Sequence, residues 1–460
     1  MGGNICIGNI FHTTVFDKVI EITYGIEPVF PRDHLIRYGQ GEVDRLYVSA
    51  KGATVRDDEG REILDFTSGQ MCATLGHSHP AIVKAIQSGA EDAIHLFSGM
   101  IPEAVARLAG ELAEWLPAPL SRSMFVNTGS ESNEAALRMA KLITGGYEVI
   151  ALGGSWHGVT GQSAAISFSG GRRGYGPKMP GVSVIPEPYS YRCPIGHCRD
   201  KCDMSCMKVG LDLFDMGCEG APAAIIAEPI LSAGGIIVPP EGYFEKLRSE
   251  ATSRGMMLIF DEAQTAFGRI GHKFAATQLG VTPDIMSVSK TLGGGLPLAA
   301  AITSDEIEEK AHEKGFAYYT SHVSDPLPAL AGLAVLETVE KENLIERASE
   351  MGAYLRNELE GLQQKYEVIG EIRGQGLLIG LDLVKDRESR EPHLELGAIT
   401  TRRCMELGLS MNIKRRPERG AVWRIAPPLT ISREELDRGV EILDRALREG
   451  LDELAKKGGG

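Results

Sequence analysis

The sequence predicts an α/β protein, with a large domain built on a mostly parallel sheet and a smaller α+β domain after it. Three features predict this. Between residues 102 and 303, short apolar runs alternate with amphipathic stretches, as buried parallel strands separated by helices do. From residue 331 the texture changes to charged helical stretches followed by EVIGEIRGQGLLIGLDLV, which reads as paired strands. At 460 residues the chain also exceeds what one core usually fills, roughly 250 to 300 residues.

In order along the chain, residues 1–75 read as an N-terminal segment that contributes to the smaller domain and the active site, 76–330 as the large domain and 331–460 as the smaller one. PEAVARLAGELAEWL (102–116) places Val105, Leu108, Leu112 and Trp115 at helical spacing; Pro102 suits a first turn and Pro117 ends it. Residues 130–143 repeat the pattern after the Thr128-Gly129 turn, with a Ser/Glu/Ser/Asn start that supplies capping groups. Strands are expected at 149–152, 223–228, 255–262, 284–289 and 298–303. The first few residues and the three terminal glycines are expected to be mobile, and no internal repeat is present.

Charge and apolar runs exclude several functions. A formal charge of −14 repels phosphate backbones, so nucleic acid is not an expected partner. No apolar run reaches the roughly 18 to 20 residues of a membrane span, and the first thirty residues mix Asp17, Lys18 and Glu21 among apolar positions without a cleavage-like site. A cytoplasmic protein is expected. Eight cysteines in so long a chain do not make a disulfide scaffold. Four of them, Cys193, Cys198, Cys202 and Cys206, crowd into an insertion at 189–210, in spacings that match no common zinc pattern, although His197 could add a ligand. A structural metal and a reduced surface insertion both remain open, and the second is the simpler.

The chemistry gathers around GMMLIFDEAQTAFGRIG and PDIMSVSKTLGGGLPLAA. Asp261 and Lys290 each stand where an apolar strand stops, the end at which α/β sheets collect ligands. Such a lysine can form an imine with an aldehyde cofactor, and a buried carboxylate can hold a pyridine nitrogen protonated, making the ring an electron sink. An isolated Asp and Lys would more simply be a strand-end ion pair. Two further matches favour pyridoxal 5′-phosphate (PLP): Thr128, Gly129 and Ser130 open a helix whose N-terminus suits a phosphate, and GGSWHG sets Trp156 and His157 just past a strand, where a ring could stack on a pyridine face.

With DFTSGQMCATLGHSHP, LFSGM, NTGSESNEAALRMAK, GSWHGVTG, AEPILSAGG, FDEAQTAFGRIG, DIMSVSKTLGGGLPLAA, SHVSDPLPALAGL and RIAPPLT, the chain resembles the class III (subgroup II) aminotransferases of PLP fold type I. Within them it is most similar to the 2,2-dialkylglycine decarboxylases, over residues 35 to 450. The resemblance implies PLP as cofactor, Lys290 as Schiff-base lysine and proton shuttle, Asp261 on the pyridinium nitrogen and Gln264 on the ring hydroxyl. Gly129 and Ser130 would bind the phosphate, joined by Ser321 of a neighbouring subunit, so the protein would be at least a homodimer and possible as a homotetramer. Trp156 would stack on the ring, while Thr128, His157 and Glu228 complete the cofactor set. Arg424 would grip a substrate carboxylate.

The resemblance further implies that Gln70 holds a second carboxylate perpendicular to the ring, where its loss as CO2 is assisted. The implied reaction is decarboxylation and transamination of a 2,2-dialkylglycine such as 2-aminoisobutyrate, with pyruvate accepting the amino group. Two departures bear on the substrate: Ala233 stands where the decarboxylases have serine, and Val159 where they have methionine. Many relatives acting on ω-amines carry a glutamate at the position of Ala233. An alkali ion, potassium or sodium, is implied beside the site on Leu96, Ser98, Ser321, Val323 and Asp325. The alternatives are an aminotransferase acting on α-amino acids or ω-amines without CO2 loss and, more remotely, a non-catalytic protein whose cysteine loop binds zinc or a partner.

Overall fold

The computed structural model describes Ile36 and residues 45–170, 176–196, 198, 202–416 and 420–458. The expectations for the first thirty residues, for His197 and for Gly459 and Gly460 lie outside the described residues. Strands β1 (Tyr47–Lys51), β2 (Thr54–Asp57) and β3 (Glu62–Asp65) form an antiparallel meander. The central sheet follows, made of β4 (Leu120–Val126), β5 (Glu148–Leu152), β6 (Val182–Ile185), β7 (Pro222–Ala227), β8 (Met257–Asp261), β9 (Ile285–Val288) and β10 (Ala299–Ser304). Their order is β4-β10-β9-β8-β7-β5-β6.

Only β10 runs against its neighbours, β9 and β4; the other pairs are parallel. The continuous apolar character of β5, β7, β8 and β9 follows from that placement, since both faces of a parallel sheet are covered by helices. The sheet holds two strands that the apolar runs did not predict. Both lie at its edges, and β4 (LSRSMFV) mixes exposed polar residues with buried ones, so it carries no unbroken apolar run.

The two expected helices are present as Glu103–Trp115 and Gly129–Thr144. The first buries Val105, Leu108, Leu112 and Trp115, with Pro102 one position earlier than expected, at the N-cap. Long helices Pro326–Lys341, Leu344–Lys365 and Arg433–Gly458 account for the charged C-terminal texture. Between them lie β11 (Ile369–Gln375), β12 (Leu378–Leu383), β13 (Leu409–Ser410), β14 (Asn412–Arg416) and β15 (Gly420–Ile425). β11 and β12 form the paired segment read in the sequence, extended to the antiparallel order β11-β12-β15-β14. β13 instead pairs parallel to β3, which ties the N-terminal meander to the C-terminal part of the chain. Among the described residues no helix is long and apolar enough to cross a membrane.

The cysteine-rich insertion opens with a 3-10 turn, Ser190–Arg192, and ends in helix Ser205–Gly217; its four cysteines are free thiols, with Cys198 and Cys206 buried. It is moored at its start. The fully buried Asp382 of β12 accepts bonds from Arg192 Nη2 at 3.2 Å and from Tyr189 OH at 3.1 Å, and Arg373 Nη1 lies 3.5 Å away. Removing one partner of a buried ion pair strands the other without water or counter-charge, at a cost of about 3–5 kcal/mol. Asp382→Ala is therefore expected to lower the unfolding free energy by about that amount in urea titrations; unchanged stability would mean that the insertion is not anchored there.

Candidate active site

The carboxyl ends of β5, β7, β8 and β9 point to one crevice, with the β4–helix turn beside them. A cavity of about 360 Å3 there is lined by Thr128, Gly129, Ser130, Asn133, Trp156, His157, Asp261, Ser289 and Lys290, among others. A second cavity of about 270 Å3 shares Trp156 and Lys290 with it, and adds Gln70, Ala233, Gln264, Asn412, Lys414 and Arg424. Lys290 thus stands between the two. It follows β9 in a left-handed backbone conformation, φ +48°, uncommon for a side-chain-bearing residue and of a kind that gathers at functional sites.

Asp261 ends β8 at the floor of the first cavity. Its Oδ2 accepts from Asn133 Nδ2 and faces His157 Nδ1, both at 2.8 Å, and its Oδ1 accepts from the amide of Ala263 at 3.1 Å. Burial works against its charge, but the hydrogen bond and charge of His157, the Lys290 ammonium and the Asn133 amide outweigh it and hold its pKa below the ordinary aspartate value. It stays ionised. His157 is itself enclosed, and its Nε2 has no partner among the described residues.

Across the crevice, Thr128 caps helix Gly129–Thr144 in a reciprocal box with Glu131. The box leaves the amides of Gly129 and Ser130 without partners among the described residues, at the positive end of a sixteen-residue helix. Unpaired amides at one end of the cavity, an ionised carboxylate at its floor and an amine on its rim fit the phosphate, ring nitrogen and aldehyde of PLP.

Glu228, which follows β7, accepts from the amides of Trp156 at 2.7 Å and Ser232 at 3.1 Å, so it fixes the loop that presents the indole. Burial pushes its carboxyl up to about 7. Gln264 accepts from Ser232 Oγ and lines the second cavity. Arg424, on β15, is buried; its Nε and Nη2 donate to Asn412 Oδ1 at 3.0 and 2.9 Å. Among the described residues it has no carboxylate partner, and burial lowers its pKa to about 10.

Ser321, Leu96, Ser98, Val323 and Asp325 do not line these cavities within one chain. Asp325 is instead spanned by two imidazoles: its Oδ1 faces His95 Nδ1 at 2.6 Å and its Oδ2 faces His322 Nδ1 at 2.7 Å. Within one chain, the carboxylate expected to serve an alkali ion is thus shared with two imidazoles.

A mostly parallel seven-stranded sheet with an amine, a carboxylate and a helix N-terminus at its strand ends is the architecture of PLP fold type I. The family model described as aminotransferase class-III matches residues 37–447, and the chain belongs to that family. An uncharacterized aminotransferase of Schizosaccharomyces pombe is 45% identical over 414 residues, covering 90% of this chain and 92% of the relative. A leucine/methionine racemase of Thermococcus litoralis is 36% identical over 434 residues, covering 93% and 95%. Among solved structures, a Bacillus anthracis aminotransferase superposes with a TM-score of 0.84 at 28% identity, over 91% of this chain and 96% of that one. The protein is a PLP-dependent class III aminotransferase. These likenesses do not single out the 2,2-dialkylglycine decarboxylases.

The sequence reading passed over several residues that shape the site. Asp65 accepts from the amides of Thr67 and Gly69 at 2.8 and 2.6 Å and pairs with His77 at 2.8 Å, which bends the chain so that Gln70 enters the second cavity. The Asp65-Phe66-Thr67 spacing of an Asx turn was the available signal. Asn412 and Lys414 carried no local motif, and Asn133, read only as part of a capping start, instead donates to Asp261. Gly158 sits at φ +137°, and a Cβ on it would come within 2.3 Å of Ser130 Oγ and 2.6 Å of Ser163 Oγ. Gly158→Ala is expected to displace Ser130 and weaken PLP binding about tenfold or more, by absorbance titration of the apoenzyme; unchanged affinity would contradict this packing.

Proposed function

We propose that the protein transfers an amino group between an α-amino acid and an α-keto acid. Arg424 holds the α-carboxylate, Asp261 keeps the ring nitrogen protonated and Lys290 carries both cofactor and proton. The observation behind this reading is the second cavity, which shares Lys290 with the first: it holds a buried guanidinium aligned by Asn412, on which the charge of Glu228 acts but which no described carboxylate touches. A charged carboxylate supplies the missing partner and can do so through two N–H donors. Ala233, lining the same cavity, leaves Arg424 free of the neutralising acid that an ω-amine substrate would favour.

Bound PLP supplies the electron sink. With the cofactor bound, Gln264 would hydrogen-bond its ring hydroxyl, Trp156 would cover one ring face, and Lys290 Nζ would move the proton at the reacting carbon. In an assembled homodimer, Ser321 of a neighbouring copy would add its hydroxyl to the phosphate.

Gln70 favours a second reading, decarboxylation of a 2,2-dialkylglycine with pyruvate as acceptor, because its neutral amide enters the cavity that holds Lys290. An amide orients a carboxylate without strongly stabilising its charge, so CO2 loss is not opposed as it would be by arginine. The readings differ in products. With L-alanine and a second keto acid, the first predicts new amino acid and no CO2; with 2-aminoisobutyrate and pyruvate, the second predicts equal amounts of ketone and CO2. Inversion of the amino acid without consumption of keto acid would overturn both. Under the second reading, Gln70→Ala slows CO2 release more than it slows transamination of L-alanine, measured in single turnovers; equal slowing refutes the decarboxylating role. Arg424→Ala is expected to raise the KM for α-amino acids about 100-fold, through loss of a charge-assisted pair, while an unchanged KM would remove the main support for the proposed function.

A further inference from the structure

The alternation of β14 puts Asn412, Lys414 and Arg416 on one face. Asn412 stands opposite Arg424 on β15 and Lys414 opposite Val422, so Lys414 and Arg424 are diagonal neighbours, about 7 to 8 Å apart at their Cβ atoms. Both line the second cavity. Neither has a carboxylate partner among the described residues, and Lys414 Nζ has no hydrogen bond there at all. The charges that act on Lys414 are those of Arg416 and Arg424, all of one sign.

A second observation marks the same end of the cavity. Ser169 is 1% exposed, lines the cavity, and its Oγ has no hydrogen-bond partner among the described residues. Arg416 Nη2 donates to the carbonyl of Phe168 at 2.7 Å, which holds the Ser169 segment against β14. An ammonium and a hydroxyl, both without partners among the described residues, therefore line the cavity that holds Arg424. Burying an uncompensated cation beside two others is costly unless an anion completes the set.

We infer that Lys414 and Ser169 form a subsite for a second carboxylate, and that the preferred α-keto acid or α-amino acid is dicarboxylic. One carboxylate lies on Arg424 and the distal one on Lys414, with the reacting carbon held toward Lys290 between the two cavities. Lys414 is here a specificity-determining residue, and the inference rests on Arg424 as the α-carboxylate site. Burial, then the nearby Arg416 and Arg424, lower the pKa of Lys414 to about 8. The free site is therefore cationic at neutral pH, and preference for a diacid fades as the pH rises through about 8.

Calorimetric titration of the PLP-loaded enzyme with glutarate and with butyrate tests the subsite without requiring turnover. Glutarate is expected to bind about 10- to 100-fold more tightly, and the ratio to fall above about pH 8. Lys414→Met should bring the two affinities together, and Lys414→Arg should restore most of the difference. Equal affinities in the unmodified enzyme overturn the subsite whether or not the variants fold. If glutarate is preferred but Lys414→Met, folded by circular dichroism, keeps the full preference, the assignment to Lys414 is wrong. Failure of both acids to bind, together with inactivity on every amino acid and keto acid pair, would instead strike at the proposed function.

Discussion

The site depends on one carboxylate that stays charged where burial opposes it. Asp261 closes the most central stretch of the sheet, between β7 and β9, where burial works against an anion. Asn133 and His157 meet one of its oxygens and the Ala263 amide the other, and each comes from a different element: a helix, the loop after β5, and the turn after β8. The fold thus supplies three donors and a nearby ammonium at one point. Without them desolvation would neutralise the acid, and a neutral acid cannot hold a ring nitrogen protonated.

The same logic recurs with opposite sign above it. Arg424, Lys414 and Arg416 lie on adjacent strands of the smaller sheet, the first two lining the crevice, and among the described residues only Asn412 and a backbone carbonyl accept from them. Anion below, cations to one side and bare amides at the helix end give the crevice three differently charged parts, matched under the proposed function to a pyridinium, a substrate carboxylate and a phosphate. Lys290 lines both cavities, in a left-handed backbone conformation at the start of the turn that follows β9.

Much of this was legible from local signals. Apolar runs ending in Asp261 or near Lys290 located two strand ends, and the Thr-Gly turn before a capped helix located the helix N-terminus beside them. The edge strands β4 and β6 were not legible, because a strand covered on one side carries no continuous apolar run. Nor were Asn133, Asn412, Lys414 and Ser169: each acts through a neighbour distant in sequence, such as Asn133 with Asp261, and pairing across sheets leaves no trace in spacing. For Asp325 the resemblance implied a metal ligand, whereas the fold brings His95 and His322 onto its two oxygens, a contact 230 residues apart in one case.

The central claim is that one amine, at position 290, carries the cofactor. Borohydride reduction of the PLP-loaded enzyme, followed by proteolysis and mass spectrometry, tests it most directly. The account predicts a phosphopyridoxyl label on the peptide containing Lys290 and on no other; a label on Lys414, or none on Lys290, would contradict it.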